Sequence, residues 1–359
     1  MRLLLLTDAV GGVWVYSLEL AKSLAPLGVE TVLAVLGPSP KPAQREEARG
    51  FKLIDTGLPL DWIAADRGEI KRGANGVARL AAREGVDLVQ TCSAALMAEA
   101  VFDQPCIAVQ HSCVATWWKT VRKSDLPADF SWRRDLVQRG LVRASAIVAP
   151  TKAFAADTES TYELHEPVLA VHNGRRQPTL PDLPPANFAL TASRLWDEGK
   201  NVATLDAAAA QLDVPFRAAG PTKGPNGSSM NLTNLDLLGQ VSASRMAELL
   251  SLQPIFVSAA VYEPFGLSVL EAAAAGCALI LSDIPSHREL WDDAAVFVEA
   301  RNDQGFADAI RDLMSSPERR ARMGDRARSR AMLYSPERMG RAMCAIYAGV
   351  AKPAVDAAA

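Results

Sequence analysis

The segment YEPFGLSVLEAAAAG, residues 262–276, sets two glutamates eight positions apart in otherwise apolar company. Glu263 precedes Pro264, Phe265 and Gly266, a turn leading into a helix expected to begin near Leu267. That helix carries only Ser268 and Glu271 as polar groups and is followed directly by the apolar run CALIL, so it is expected to be largely buried. A buried carboxylate without partners is strongly disfavoured, so Glu271 must meet donors from the protein or from a ligand. At ~1.5 Å rise per residue it stands about 6 Å from the helix start, where free backbone amides and the helix dipole suit a phosphate. A phosphate with hydroxyl-bearing groups on either side, each accepted by a carboxylate, describes a nucleotide sugar. The same residues also allow a plainer arrangement, with Glu263 complementing the helix dipole and Glu271 paired to an arginine.

Two cations stand at the end of another apolar run. Arg194 follows NFALTA, and Lys200 comes six residues later, before a helix expected near Asn201. Such a pair can neutralise charge growing on a departing diphosphate, or it can be solvated surface charge. No D-x-D of the metal-holding kind is present. The loop TDAVGGVWVY carries Gly11 and Gly12, which allow close backbone approach to a ligand or simply a tight turn. It lacks G-x-G-x-x-G, and GPTKGPNG at 220–227 lacks the Lys and Ser/Thr order of a phosphate-binding P-loop. Of the four histidines, His111 ends the run PCIAVQ, while His165, His172 and His287 share no metal-ligand spacing with it or one another.

These residues hang on a regular alternation. Strands are expected at 2–6, 30–36, 86–91, 105–109 and 145–149, and again at 187–192, 215–219, 234–238, 254–258, 277–281 and 295–298. The helix after the first strand places Leu20, Leu24 and Leu27 on one face and ends near Gly28. Continuous apolar strands alternating with helices indicate parallel sheets covered on both sides, with ligands at the strands' carboxyl ends. The 359-residue length favours two domains, and proline-dense 173–187 reads as their linker. The domains are expected at 1–172 and 188–334. Consecutive helices fill 303–350, with a C-terminal helix in 335–359 crossing back to the first domain and a frayed tail.

E-P-F-G-L-x-x-L-E-A, with Glu263 and Glu271 at E-x7-E spacing, resembles the signature of retaining glycosyltransferases of family 4. SRLWDEGKN and DIPSHREL followed by DDAAVFV extend the likeness over nearly the whole chain. The resemblance implies a GT-B fold: α/β, two doubly wound Rossmann-like domains facing across a cleft. It implies transfer of a sugar from a UDP or GDP donor to a hydroxyl acceptor with retention, without metal or cofactor. Glu263 would hold the sugar and Glu271 the ribose, with Phe265, Gly266 and Leu267 presenting backbone amides. Arg194 and Lys200 would meet the diphosphate, Gly220 would line the nucleotide site, and His111 would contact the transferred sugar. Gly11 and Gly12 would approach the sugar or acceptor. Asn173-Gly174 matches the family's hinge, whereas Arg175-Arg176 replaces its usual Val-Asp. Ser193 stands where a glycine is usual, and bulky Trp14 and Tyr16 after the glycine loop are expected to narrow the acceptor side.

The net charge of −3 gives no global attraction to nucleic acid or anionic lipid, although residues 116–134 carry a local +3 interleaved with Trp117, Trp118 and Trp132. That mixture suits a lipid-linked acceptor, sugar stacking or peripheral contact with the inner membrane face, or an ordinary loop whose tryptophans turn inward. Five cysteines without C-x-x-C, a leucine run ended by Thr7-Asp8, and no apolar stretch of about 18 residues fit a cytoplasmic protein. The expected acceptor is a sugar, a lipid-linked sugar or a small hydroxyl compound, in cell-surface glycan or glycolipid synthesis. The alternatives are a nucleotide-sugar epimerase of the same fold and a non-catalytic two-domain sugar-binding protein.

Overall fold

A computed structural model describes residues 1–177, 179–224 and 227–351. The chain divides into two compact units, one of Met1–Gly174 with the segment from Pro336 on, the other Arg175–Ser335. The first holds seven parallel strands: β1 (Arg2–Asp8), β2 (Glu30–Leu36), β3 (Lys52–Asp55), β4 (Leu88–Thr91), β5 (Cys106–Val109), β6 (Ala146–Ala149) and β7 (Leu169–Ala170). Their order across the sheet is β3-β2-β1-β4-β5-β6-β7. The second holds six: β8 (Ala189–Ala192), β9 (Phe216–Ala219), β10 (Asp236–Gly239), β11 (Ile255–Ser258), β12 (Leu279–Ser282) and β13 (Ala295–Val298), in the order β10-β9-β8-β11-β12-β13. This is the doubly wound α/β architecture expected from the alternation of apolar runs and helices.

Burial on both sheet faces explains those runs. In β11, Phe256 packs into one core with Leu279 and Leu281, whereas Ile255 and Val257 point into the other beside Ile280. Side chains that alternate between two buried faces leave no polar position, so the strand reads as a continuous apolar segment. The two strands absent from the sequence reading, β3 and β7, are the outermost of the first sheet. Lys52 is exposed on one and both residues are exposed on the other.

The helix Gly12–Leu24 buries Leu20 and Leu24, but Leu27 is exposed, contrary to the expected single face. Ala25–Leu27 tighten into a 3₁₀ turn closed by Gly28, and three residues per turn carry Leu27 off the helical stripe. Residues 303–351 form the helices Asp303–Ser315, Pro317–Ala331 and Pro336–Ala351, the last two with proline in the first turn. Of the nine residues expected to fray, 351–359, Ala351 still belongs to the last helix and 352–359 lie outside the described residues. Residue 178 of the proline-dense segment does too, and the described remainder of 173–187 has no helix or strand. Among the described residues no helix is long and apolar enough to cross a membrane. None of the five cysteines is in a disulfide; Cys106 and Cys277 are buried, the others half-buried.

Within the first unit, Met339, Met343 and Tyr347 of the last helix join the core built by Leu3, Leu5, Leu20 and Leu33. A buried polar chain completes the seat: Tyr347 Oη donates to Gln90 Oε1, and Gln90 Nε2 donates to Tyr16 Oη at 3.2 Å. Removing the Tyr347 hydroxyl strands a buried amide oxygen. Tyr347→Phe is therefore expected to destabilise this unit by about 1–3 kcal/mol in urea unfolding. An unchanged transition would show that the network does not secure the helix.

Candidate functional site

Strand order in the second unit reverses between β8 and β11, which pair in parallel although some sixty residues of chain, including β9 and β10, intervene. The loops leaving their carboxyl ends carry the cations and the first glutamate. The loop after β8 is tied down by Asp197, whose Oδ1 accepts the Gly199 amide at 3.0 Å. The Gly199 carbonyl accepts amides from both Val261 and Tyr262, at 2.9 and 3.1 Å, stitching the two loops together. Asn201 adds Nδ2 bonds to the carbonyls of Ala259 and Ala300.

This stitching brings Lys200 and Glu263 into contact. Nζ and Oε2 lie 2.6 Å apart, with the side chains 14% and 13% exposed. Arg194 stays in its own loop, half-exposed, with Nη2 2.8 Å from Asp197 Oδ2 and its guanidinium over Trp196. The family resemblance assigns Lys200 and Glu263 separate partners; in the structure each is the other's counter-ion.

The Glu263 carbonyl accepts Ser286 Oγ at 2.5 Å. Next to it, His287 is completely buried, with Nδ1 3.0 Å from the Ser282 carbonyl, an arrangement that assigns the ring proton to Nδ1. Burial lowers its pKa, while the Glu263 charge works in the opposite sense. His287 lies within DIPSHREL, five residues after β12, but nothing in that segment gave it a role.

Gly266 caps the helix Leu267–Ala274 at φ 87°, where a side chain would be strained. Phe265 is buried and sets its ring edge-on to Tyr334, centroids 6.0 Å apart, so what this residue can offer a ligand is backbone. Val269, Leu270, Ala272 and Ala273 are buried against the sheet. Ser268 and Leu267 are half-buried. Glu271 is not sealed in as expected: its side chain is 23% exposed and its Oε1 accepts Arg175 Nε at 2.7 Å. The plainer reading of that acid, a pairing with an arginine, is thus present, and the partner is the residue that departs from the family's hinge.

Gly220, directly after β9, has φ 135°, and a Cβ there would stand 1.8 Å from the Ser193 carbonyl oxygen. Its amide donates to the Gly239 carbonyl at 2.8 Å, so the backbone itself requires glycine here. Residues 225 and 226 of GPTKGPNG lie outside the described residues.

In the first unit the order reverses between β1 and β4. Gly11 and Gly12 are exposed after β1; Gly11 caps the helix, and Asp8 Oδ1 holds the Val10 amide at 2.7 Å. Trp14 and Tyr16 do not narrow the surface as expected. Both are buried, Trp14 Nε1 donating to Glu47 at 2.9 Å and Tyr16 meeting the His111 ring with centroids 4.2 Å apart. Two positions apart on the helix, they leave it on different sides, and each is buried against its own neighbours. His111 follows β5; the residue is half-buried, yet its Nε2 is shut from water and has no hydrogen-bond partner among the described residues. Burial holds the imidazole neutral, with its pKa lowered to about 4.

In 116–134 the helices Val114–Val121 and Ala128–Val142 carry half-buried tryptophans covered by cations, Arg122 over Trp117 and Trp118, Arg133 over Trp132. Among the described residues no group of three His, Cys, Asp or Glu side chains forms a metal site.

His111 supplies a pH test. Its pKa is lower folded than its ordinary 6.5, so the unfolded chain takes up the proton first. The stability this gives is complete above about 6.5 and is lost as pH falls towards about 4, at up to about 1.4 kcal/mol per pH unit. Unfolding free energies of His111→Gln between those values should fall less steeply than those of the parent. Parallel curves would place the imidazole in a wetter setting.

A family model for glycosyl transferases group 1 matches residues 187–330, and one for glycosyltransferase family 4 matches 10–175. No curated protein matches the chain in sequence. Among solved structures, the chain is similar to sucrose-phosphate synthase from Thermosynechococcus elongatus at 18% identity and TM-score 0.79, covering 98% of this chain and 99% of that one. A glycosyltransferase from Rickettsia africae gives 18% and 0.73 over 98% and 99%. HepE of Anabaena, solved with UDP and glucose, gives 14% and 0.76 over 97% and 100%. At such identities the structural likeness speaks for the fold, and the two family models account for both halves of it.

Proposed function

We propose, from the premise that this chain is a glycosyltransferase of the GT-B fold, that it moves a sugar from a UDP or GDP donor to a hydroxyl acceptor with retention and without a metal ion. One observation carries the reading. At the strand-order reversal of the second sheet, Lys200 reaches across 63 positions of chain to Glu263, which stands three residues before the cap of a helix with Glu271 one turn inside. Ligands of doubly wound sheets bind at such reversals.

The donor phosphates would take the backbone amides at Gly266–Leu267, Glu271 the ribose and Glu263 the sugar hydroxyls. Lys200, held by Glu263, and Arg194, half-exposed beside it in sequence, stabilise the leaving diphosphate as its charge grows. The acceptor hydroxyl attacks on the face that the diphosphate vacates, and a phosphate oxygen takes its proton. In the first unit, the neutral His111 and the exposed Gly11-Gly12 loop provide contacts to sugar and acceptor. The tryptophan and arginine pairs of 116–134 favour a sugar or lipid-linked acceptor of the kind used in cell-surface glycan assembly.

Calorimetry with UDP and GDP and steady-state rates over a panel of nucleotide sugars test this. Glu271→Ala should weaken nucleotide binding about tenfold or more, from loss of a charged hydrogen-bond acceptor. Arg194→Ala should lower kcat much more than it changes nucleotide affinity. EDTA should leave the rate intact, NMR should show the donor's anomeric configuration in the product, and donor incubated alone should not change its sugar. Unchanged affinity in Glu271→Ala would remove the ribose assignment.

A further inference from the structure

The Arg175–Glu271 contact gives a task to a residue that the family pattern leaves without one. Arg175 is fixed at two points. Its amide donates to the Tyr334 carbonyl at 3.3 Å, and its Nε donates to Glu271 Oε1 at 2.7 Å. Tyr334 is itself immobilised: its Oη donates to the Leu290 carbonyl at 2.8 Å, and its ring meets Phe265 and Trp291 edge-on at 6.0 and 5.6 Å. The aromatic cluster that seats the turn before the helix therefore also anchors the cation that reaches Glu271.

A glutamate on a half-exposed helix face samples several rotamers, and a ligand must bear the cost of ordering it. Here that ordering is done in advance. Among the described residues Arg175 is the one hydrogen-bond partner of the Glu271 carboxylate, and it engages Oε1, leaving Oε2 to accept from a ligand. With the side chains 27% and 23% exposed, the pair is open enough for a ligand to reach and covered enough to keep its geometry.

We propose that Arg175 is a positioning residue that aims the second oxygen of Glu271 at the ribose hydroxyls of the donor and so sets the enzyme's preference for a ribonucleotide. The proposal rests on the reading of Glu271 as the ribose acceptor. An arginine that competed with the ribose for the carboxylate would act through the same contact with the opposite sign.

The test is calorimetry of the full-length parent, Arg175→Ala and Arg175→Lys with UDP, GDP and their 2′-deoxy and 3′-deoxy analogues, with thermal unfolding to establish that each variant is folded. The parent should prefer the ribonucleotide. In Arg175→Ala, affinity for the ribonucleotide should fall about tenfold, affinity for a deoxy analogue should change little, and the preference should collapse. Arg175→Lys, which restores a cation without the planar fork, should recover part of the preference, and it carries the test should the alanine variant not fold. A general loosening of the helix would weaken all nucleotides alike and leave the preference standing, which would overturn the proposal. Tighter ribonucleotide binding in Arg175→Ala would overturn it in favour of competition. A parent that binds nucleotide with no ribose preference would instead remove the Glu271 reading itself.

Discussion

The parallel pairing of β8 with β11 is the constraint on which the candidate site depends. Its register sets Ile255 opposite Ala189 and Phe256 opposite Leu190. Both faces of the sheet are buried, so a slip of one residue would drive Phe256 from one core into the other. Register is thus enforced by the packing of large side chains on two sides. Once it is fixed, the loop after β8 and the loop after β11 start level with each other, and the Gly199 carbonyl can collect the two amides of Val261 and Tyr262. Only then does Lys200 meet Glu263. Core packing some distance below the surface decides the geometry of a polar pair at its edge.

The same packing explains what could be read from the sequence. All six strands of the second sheet and five of the first are legible: most are buried on both faces and have no choice but an apolar run, while the exposed edge strand β10 is read through Leu235, Leu237 and Leu238. The outer strands β3 and β7 were not, since an edge position with exposed residues such as Lys52 and Leu169 loses the pattern that burial imposes. The helix after Gly266 was legible through its turn and its alanines. The roles of its polar residues were less so. Glu271 was expected to be sealed because a helical segment with one acid looks buried, yet the acid lies on the narrow face left open, where a residue from a segment lacking any periodicity comes to meet it. No local pattern around Arg175 could announce a contact nearly a hundred positions away. His287 was hidden for a related reason: a histidine whose Nδ1 is satisfied by a carbonyl five residues earlier in sequence reads as one more polar residue in a helix. Trp14 and Tyr16 differ from expectation because a glycine loop draws attention to the surface, whereas both rings of the helix that follows it are buried, one against Glu47 and the other against His111.

Three cations of the second unit's proposed site are paired. Arg194 holds Asp197, Lys200 holds Glu263 and Arg175 holds Glu271, so each cation of the site arrives with its own carboxylate. On the proposed function such a site would not present bare positive charge to a diphosphate, and strong ground-state attraction would not be its main resource. What the pairs supply is orientation. A lysine held at 2.6 Å from a carboxylate keeps its remaining protons in fixed directions, and a glutamate held through one oxygen keeps the other fixed. Fixed dipoles cost no reorganisation as charge develops on a leaving group, and they favour the transition state over the bound donor. Arg194 is the most exposed of the three cations and is bound within its own loop, and on the proposed function it would be the one to follow the charge as it moves. On the proposed function the division of labour would follow from burial: the two less exposed pairs would define where the donor lies, and the open arginine would respond to what happens to it.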